Sequence, residues 1–287
     1  MTELLLTVDI GNTETVFGFY ELGPSGVGRR AEDGLLAHLR LATRIDRTVD
    51  EIYLLLRQFI DARGLALSAG MAAGGMAGVI ISSSAPSATQ AMIDVSRRWL
   101  AIEPLVLGRG LDIGLTIRYD NPAEVGPDRL ADAVGAHDLY GGPAIIVDLG
   151  TATTFDVVAA EGDYLGGAIC PGVMVALDAL ISRAAALRKV ELVAPRSVIG
   201  KTTVESIQAG VLYGIKGQVT QIVADTEELI GPATVIGTGG LAELLAPFIP
   251  VITQVEPWLT LHGLRLIWER NRPPTTNTER RGLLSER

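Results

Sequence analysis

The chain has 287 residues, of which 48% are hydrophobic and 20% charged, and its formal net charge is −9. This is a globular composition, long enough for two domains of roughly 100 to 150 residues each, and its acidity disfavours a general binder of nucleic acid or anionic membranes. The single cysteine, Cys170, excludes an intrachain disulfide and a thiolate metal cluster and favours a cytoplasmic location; neither a targeting segment nor a membrane span is expected.

The first half of the chain opens with a predicted β-hairpin. Leu4–Ile10 and Val16–Tyr20 are rich in apolar β-formers, and the turn residues Gly11-Asn12-Thr13 join them. A loop is predicted at 21–33. Further elements are a helix from Thr48 to about Arg63 that opens with capping-box spacing, a glycine-alanine linker at 70–78, a strand at 79–82, a helix ending near Trp99 and an amphipathic helix at Asp128–Tyr140.

The second half begins with a strand at 144–147 that reveals an internal repeat. Asp9–Thr15 aligns with Asp148–Thr154, at an offset of 139 residues, and each copy lies between two apolar strands. The pattern then predicts helices at 173–187 and 204–229, a strand at 235–237 that ends in Gly237-Thr238-Gly239-Gly240, and a last helix at 261–271. We therefore expect two lobes of similar plan, at 1–140 and 141–272, and a disordered tail at 273–287.

The repeated Asp-x-Gly turns are candidates for binding phosphate groups and a cation. Backbone N–H groups of a tight glycine turn can hold phosphate oxygens, while the carboxylate can hold a cation. One such turn is common, but two in register are the pattern of the superfamily that includes actin, hexokinase and acetate kinase. This resemblance implies an α/β fold of two lobes, the duplicated actin-like (ribonuclease H-like) kinase fold with mixed central sheets flanked by helices.

More specific motifs resemble type III pantothenate kinases over nearly the whole chain. The segment Tyr119–Arg129 is similar to their substrate segment, which carries a Gly-x-Asp-Arg core. Further matching segments are Asp9–Thr13, Asp148–Thr154, Gly166–Gly172 and Leu259–Arg265. The resemblance implies ATP-dependent phosphorylation of pantothenate, the first step toward coenzyme A, in a cytoplasmic homodimer.

The resemblance also implies roles for individual residues. Asp128 would be the general base, Arg129 would hold the pantothenate carboxylate, and Asp148 would bind a monovalent cation, potassium or ammonium, beside the Mg²⁺ that accompanies ATP. The implied ATP-binding residues are Asp9, Ile10, Gly11, Asn12, Thr13, Glu14, Thr15, Val16 and Thr151, and the implied pantothenate-binding residues are Tyr119, Gly126, Pro127, Asp128, Arg129 and Thr203.

Two further features of the sequence bear on nucleotide binding. Glu14 stands where the family usually has Asn or another small polar residue, and its carboxylate would weaken ATP binding unless it points away from the phosphates. Gly200-Lys201-Thr202 is not read as a P-loop, because Pro195 stands where a Walker loop needs glycine. One alternative is a catalytically inactive nucleotide-binding regulatory or accessory protein, against which the retained Asp9, Asp128, Arg129 and Asp148 argue. Another is an actin-like filament former, which the short, acidic chain without added inserts does not support.

Overall fold

The structure of the protein is a computed structural model that describes residues 3–22, 30–65, 75–108, 110–184 and 190–272. The first half contains β1 (Glu3–Ile10), β2 (Glu14–Leu22), β3 (Leu35–Ala42), α1 (Val49–Ala62), β4 (Met76–Ser83), α2 (Pro86–Trp99), β5 (Leu105–Val106) and α3 (Pro127–Tyr140). The second contains β6 (Ala144–Leu149), β7 (Ala152–Val158), β8 (Tyr164–Pro171), α4 (Val173–Arg183), α5 (Thr203–Ile230), β9 (Thr234–Thr238), α6 (Ala242–Leu245), β10 (Gln254–Val255) and α7 (Leu259–Asn271).

The strands form two mixed five-stranded sheets with the same topology. Their orders are β3-β2-β1-β4-β5 and β10-β9-β6-β7-β8. In each sheet the first three strands of the chain are antiparallel neighbours and the last two join in parallel, as β1 does with β4 and β6 with β9. This repetition supports the duplication that the two Asp-x-Gly segments predict.

Local sequence explains where the main helices begin and end. Thr48 caps α1 in a capping box, in which its hydroxyl accepts from Glu51 N and the Glu51 carboxylate accepts from Thr48 N. Pro127 occupies the first turn of α3, where its missing N–H leaves no hydrogen bond broken. The capping-box prediction is confirmed.

One face of the first sheet packs against α3 and α7. Leu5 and Tyr20 of this face share a buried apolar cluster with Leu261, Leu264 and Trp268 of α7. The opposite face packs against α1 and α2, and the second sheet packs against α5 and α6 through a separate cluster. The division at residue 140 stays a prediction, and α7 packs on the first sheet although it follows the second in the chain.

Several predicted bounds differ from the structure. The sequence analysis missed β3, although the alternation of apolar and polar residues in Leu35–Ala42 is typical of a strand at a sheet edge. The predicted helix at 173–187 is wrong at its end, since α4 stops at Arg183 and Ala184 has extended dihedral angles; residues 185–189 lie outside the described chain. β4 begins at Met76, inside the predicted linker, because Met76 pairs with Leu4. Residues 23–29, 66–74 and 273–287, parts of the predicted loop, linker and tail, also lie outside the described residues.

No helix in the part of the chain that the structure describes combines the length and apolar character needed to cross a membrane.

Candidate active site

The two Asp-x-Gly turns face each other across the cleft between the sheets. In the first turn Gly11 N donates to Glu14 O at 2.9 Å, and in the second Gly150 N donates to Ala152 O at 3.1 Å. The second turn is one residue shorter, since β7 starts at Ala152 and β2 at Glu14. The hydroxyls of Thr13 and Thr151 are hydrogen bonded at 3.0 Å, so the two turns touch.

A carboxylate stands at the strand end before each turn. Burial, followed by the charge of Asp128, raises the pKa of Asp9 from 3.8 to about 7, although Ser82 and Arg40 act in the opposite direction. Burial also raises the pKa of Asp148, and the charges of Asp128 and Asp9 raise it further. Asp9 and Asp148 are therefore poorly solvated and lie near the carboxylate of Asp128, and a cation there would lower the energy of the charged forms of Asp9 and Asp148.

Asp128 lies in the first turn of α3, at the edge of this acidic region. Its Oδ1 accepts a hydrogen bond from Arg129 N at 2.9 Å. Gly126, which precedes the helix, is close enough that a Cβ there would lie 2.5 Å from Asp128 Oδ1. The carboxylate is thus held at the helix start by backbone contacts.

Arg129 is buried and its guanidinium is held by a buried carboxylate. Arg129 Nε donates to Asp156 Oδ1 at 2.8 Å, and the same oxygen accepts from Tyr164 OH at 2.7 Å. Thr154 Oγ1 donates to Asp156 Oδ2 at 3.1 Å. Among the described residues no partner reaches Arg129 Nη2, although this atom is buried. A donor that is buried and unpaired suits an anionic ligand.

Tyr119 is partly buried and packs beside this arginine region. Its ring atoms would lie 3.1 Å from a Cβ at Gly166, so the ring rests on the backbone of β8. It also belongs to the edge of the apolar cluster that contains Tyr164. The structure therefore brings Tyr119, Gly126, Pro127, Asp128 and Arg129 into one neighbourhood, as the sequence predicts.

Asp156 and Asp132 are functional candidates that the sequence analysis missed. Asp132 follows Asp128 by four residues on α3, is buried, and accepts from Thr260 Oγ1 at 2.7 Å. Burial and the charge of Asp148 raise its pKa well above the usual value. The i, i+4 spacing from Asp128 places both on one helix face, and this was the available signal.

The side chain of Glu14 is paired with an arginine. Its Oε2 accepts from Arg40 Nη1 at 3.0 Å, on the neighbouring strand β3. The other predicted nucleotide residues differ in exposure: Ile10 is buried in the sheet core, whereas Asn12 Nδ2 donates to Ser84 Oγ at 3.4 Å near the surface. Ile10 and Val16 could reach a ligand only through their main chain, and their role stays a prediction.

The glycine turn after β9 closes the other side of the site. Gly239 has a φ of +87°, and a Cβ there would clash with Asp148 Oδ1. That oxygen is buried, and no partner for it occurs in the described chain. A Cβ at Gly240 would lie 3.8 Å from Arg40 Nη1, so this turn also approaches β3.

Thr203 lies apart from the other predicted substrate residues. It is the first residue of α5 and lines an apolar cavity of about 650 Å³ together with Pro171, Val173 and residues of α4 and α5. None of the residues that line this cavity belongs to Tyr119–Arg129. A substrate contact through Thr203 therefore stays a prediction.

The acidic region offers few side-chain ligands for a metal ion. Within the described ranges, no group of three or more His, Cys, Asp or Glu side chains is arranged to hold one. A cation at Asp9 or Asp148 would consequently need further oxygens from the main chain, water or a phosphate, and such mixed sets suit Mg²⁺ and other hard cations. The unpartnered Asp148 Oδ1 fits this requirement.

Comparison with known sequences gives a consistent result. A family model described as type III pantothenate kinase matches residues 5–225. The chain is 45% identical over 269 residues to the type III pantothenate kinase of Moorella thermoacetica, which covers 93% of this chain and 100% of that protein. It is 46% identical over 272 residues to the type III pantothenate kinase of Acidothermus cellulolyticus, which covers 94% of this chain and 100% of that protein.

Comparison with solved structures bears on the fold alone, because the sequence identities are low. The chain resembles the conserved putative Baf family transcriptional activator from Campylobacter jejuni with a TM-score of 0.55 at 18% identity, over 93% of this chain and 98% of that one. It resembles a ROK family protein from Streptococcus pneumoniae with a TM-score of 0.50 at 12% identity, again over 93% and 98%. Together with the two equivalent sheets, these neighbours confirm the duplicated, two-lobed actin-like fold.

Proposed function

Because the chain belongs to the type III pantothenate kinase family, we propose that it transfers the γ-phosphate of ATP to the terminal hydroxyl of pantothenate. The product is 4′-phosphopantothenate, formed in the first step of coenzyme A biosynthesis. The observation that carries the proposal is a buried Arg129 with an unpaired Nη2, one residue after the carboxylate of Asp128 and beside two Asp-x-Gly turns.

Arg129 binds the carboxylate of pantothenate. Asp156, which accepts a hydrogen bond from Tyr164, fixes the Nε edge of the Arg129 guanidinium, so the unpaired Nη2 remains for the substrate. A planar fork of donors matches a carboxylate in two places at once, which fixes the direction of the substrate as well as its affinity. Tyr119, Gly126 and Pro127 form the wall beside this contact.

Asp128 acts as the general base. Its carboxylate accepts the proton of the pantothenate hydroxyl while that oxygen attacks the γ-phosphorus and the bond to the β-phosphate breaks. ADP leaves, and the proton passes from Asp128 to solvent.

The two turns position the nucleotide phosphates. In the segment Asp9–Val16, Gly11 N is bonded to Glu14 O, so the N–H groups of the turn residues Asn12 and Thr13 would donate to phosphate oxygens, together with the hydroxyl of Thr151. Asp148 would hold a monovalent cation, potassium or ammonium, and Asp9 would face the magnesium that accompanies ATP. When bound, these cations neutralise the charge that spreads over the phosphate oxygens during transfer.

A homodimer is the expected assembly. The apolar cavity between α4 and α5 and the exposed Val198, Ile199 and Val204 beside it provide an apolar surface on the side that carries Thr203. In a dimer this surface would be covered, and Thr203 would then be placed to reach the site of the partner subunit. We place the enzyme in the cytoplasm, consistent with its single cysteine.

The direct test is phosphorylation of pantothenate by the purified protein with Mg-ATP, in potassium, ammonium or choline chloride. Asp128→Asn should lower kcat by at least about 100-fold, because general-base catalysis contributes about 10²–10⁴-fold. Asp50→Asn is the matched control: Asp50 holds the same position in the first turn of α1, which packs on the opposite face of the first sheet.

Cation-dependent product formation that collapses in Asp128→Asn, with Asp50→Asn unchanged, is the expected result. A folded wild-type protein that forms no product with any cation would overturn the proposal and favour an inactive nucleotide-binding protein.

A further inference from the structure

Arg40 on β3 faces the same side of the first sheet as Asp9. Asp9 pairs with Val16 of β2, and Val16 pairs with Arg40 of β3, so the three residues form one row across the sheet. Side chains that are laterally paired point to the same face. The charge of Arg40 accordingly lowers the pKa of Asp9, against the larger effect of burial.

The guanidinium of Arg40 is surrounded by residues from both lobes. Nη1 donates to Glu14 Oε2 at 3.0 Å, beside the first turn. Its central carbon lies 5.4 Å from the centre of the Trp258 ring, which precedes α7. Nη1 also lies 3.8 Å from the position that a Cβ of Gly240 would occupy, after β9. Arg40 therefore stands where the β1–β2 turn meets the β9 turn.

The bond between Arg40 and Glu14 is easily exchanged. The side chains of both residues are partly exposed, by 36% and 52%, and exposed pairs of this kind stabilise a fold by only about 0–1 kcal/mol. A phosphate group accepts two parallel hydrogen bonds from a guanidinium and carries more charge than a carboxylate. By contrast, Arg129 is buried and already paired with Asp156.

The acidic region needs such a cation when a nucleotide is bound. Asp9 and Asp148 stand at the strand ends before the two turns and Asp128 lies at the edge of this region, and a nucleoside triphosphate adds several more negative charges. A guanidinium at the edge of the first turn can reduce this repulsion without displacing a metal ion.

We propose that Arg40 is a phosphate-binding residue that is held by Glu14 in the empty site and passes to the phosphate chain of the nucleotide when the nucleotide binds. Glu14 then serves as the resting partner of Arg40, and Trp258 keeps the guanidinium plane in place. The inference rests on the proposed function, because it requires a nucleotide between the two turns.

The test is nucleotide binding by isothermal titration calorimetry, with ATP, AMP and inorganic tripolyphosphate, each with Mg²⁺. Arg40→Gln should lower the affinity for ATP and for tripolyphosphate by about 10- to 100-fold, because a charge-assisted hydrogen bond to phosphate contributes a free energy of that size. The affinity for AMP should fall far less. Glu14→Gln should tighten ATP binding about two- to fivefold, because it releases Arg40 and removes a nearby negative charge.

The matched control is Arg57→Gln on α1. Arg57 also has a side chain with 36% exposure and pairs with a carboxylate, Asp61, at 2.9 Å, but it lies outside the cleft. The Arg57→Gln variant should bind all three ligands as the wild type does. Arg40→Lys, which keeps the charge, should recover part of the ATP affinity.

Three results would overturn the assignment of Arg40: ATP affinity unchanged in Arg40→Gln, an equal loss for ATP and AMP, or equal losses in Arg40→Gln and Glu14→Gln. The last would indicate a structural ion pair. If the wild type itself binds neither ATP nor tripolyphosphate, the proposed function fails and the Arg40 assignment fails with it.

Discussion

Replacing Asp156 by Asn tests whether a buried carboxylate holds Arg129 in the orientation that binds substrate. Asp156 is fully buried and accepts hydrogen bonds from Arg129, Tyr164 and Thr154. The substitution leaves the guanidinium of Arg129, a residue that is only 9% exposed, without a balancing charge. Breaking a buried pair from one side costs about 3–5 kcal/mol, so we expect a loss of that size in the unfolding free energy.

The kinetic effect should appear in the KM for pantothenate. A hydrogen bond between charged groups contributes about 1.5–3 kcal/mol, which corresponds to a rise of about 10- to 100-fold in KM if Arg129 loses its orientation. Urea unfolding measures the stability, and steady-state kinetics measure KM and kcat. Tyr164→Phe removes one hydrogen bond to Asp156 and should change KM in the same direction by less, with a smaller risk of unfolding.

A second substrate distinguishes a changed orientation of Arg129 from a general loss of folded structure. An amide analogue of pantothenate, in which a neutral N-methylamide replaces the carboxylate, should react equally poorly with the wild type and Asp156→Asn. Asp163→Asn breaks an ion pair to Arg118, an arginine with 64% of its side chain exposed. This variant should have the same KM as the wild type for pantothenate and for the amide analogue. Equal losses on the two acceptors in Asp156→Asn would refute the reasoning.

Two more tests use Asp9 and the turn after β9. The folded chain keeps a proton on Asp9 up to about pH 7, whereas the unfolded chain releases it near pH 3.8. The ligand-free protein should therefore lose stability as the pH rises between these values. Asp9 should contribute up to roughly 4 kcal/mol to this loss. Urea titrations from pH 4.5 to 7.5 should show a shallower decline for Asp9→Asn, and a slope equal to that of the wild type would contradict the assignment. Gly239→Ala and Gly231→Ala both place a side chain at a positive φ, +87° and +84°, but only at 239 would the new Cβ clash with Asp148. Thermal unfolding should show a cost of about 1–3 kcal/mol at 231 and at least about 1 kcal/mol more at 239; equal costs would argue against close packing of the turn on Asp148.

The sequence predicts the elements whose signals are local. The β1–β2 and β6–β7 hairpins follow from apolar strands around a glycine turn, and the capping box of α1 follows from the spacing of Thr48 and Glu51. The two equivalent sheets follow from the repeat at 139 residues, since similar segments fold alike.

Features that depend on pairing between distant segments could not be predicted. β3 has a mixed pattern, and the contact between Glu14 and Arg40 exists only because the β2–β3 register sets Glu14 opposite Ala42. Likewise Asp156 meets Arg129 because α3 lies against β7, which no local pattern in either segment specifies.

The place of α7 has a consequence for how the protein folds during synthesis. This helix is made after both sheets, yet its Leu261, Leu264 and Trp268 fill the apolar face of the first sheet, and Trp268 lies against Gly78 of β4. Until residues 259–271 leave the ribosome, that face is covered by α3 alone, although every strand of the first sheet has long been available. The first lobe to be translated is therefore expected to be completed last, and chaperone binding to nascent chains should persist until α7 emerges.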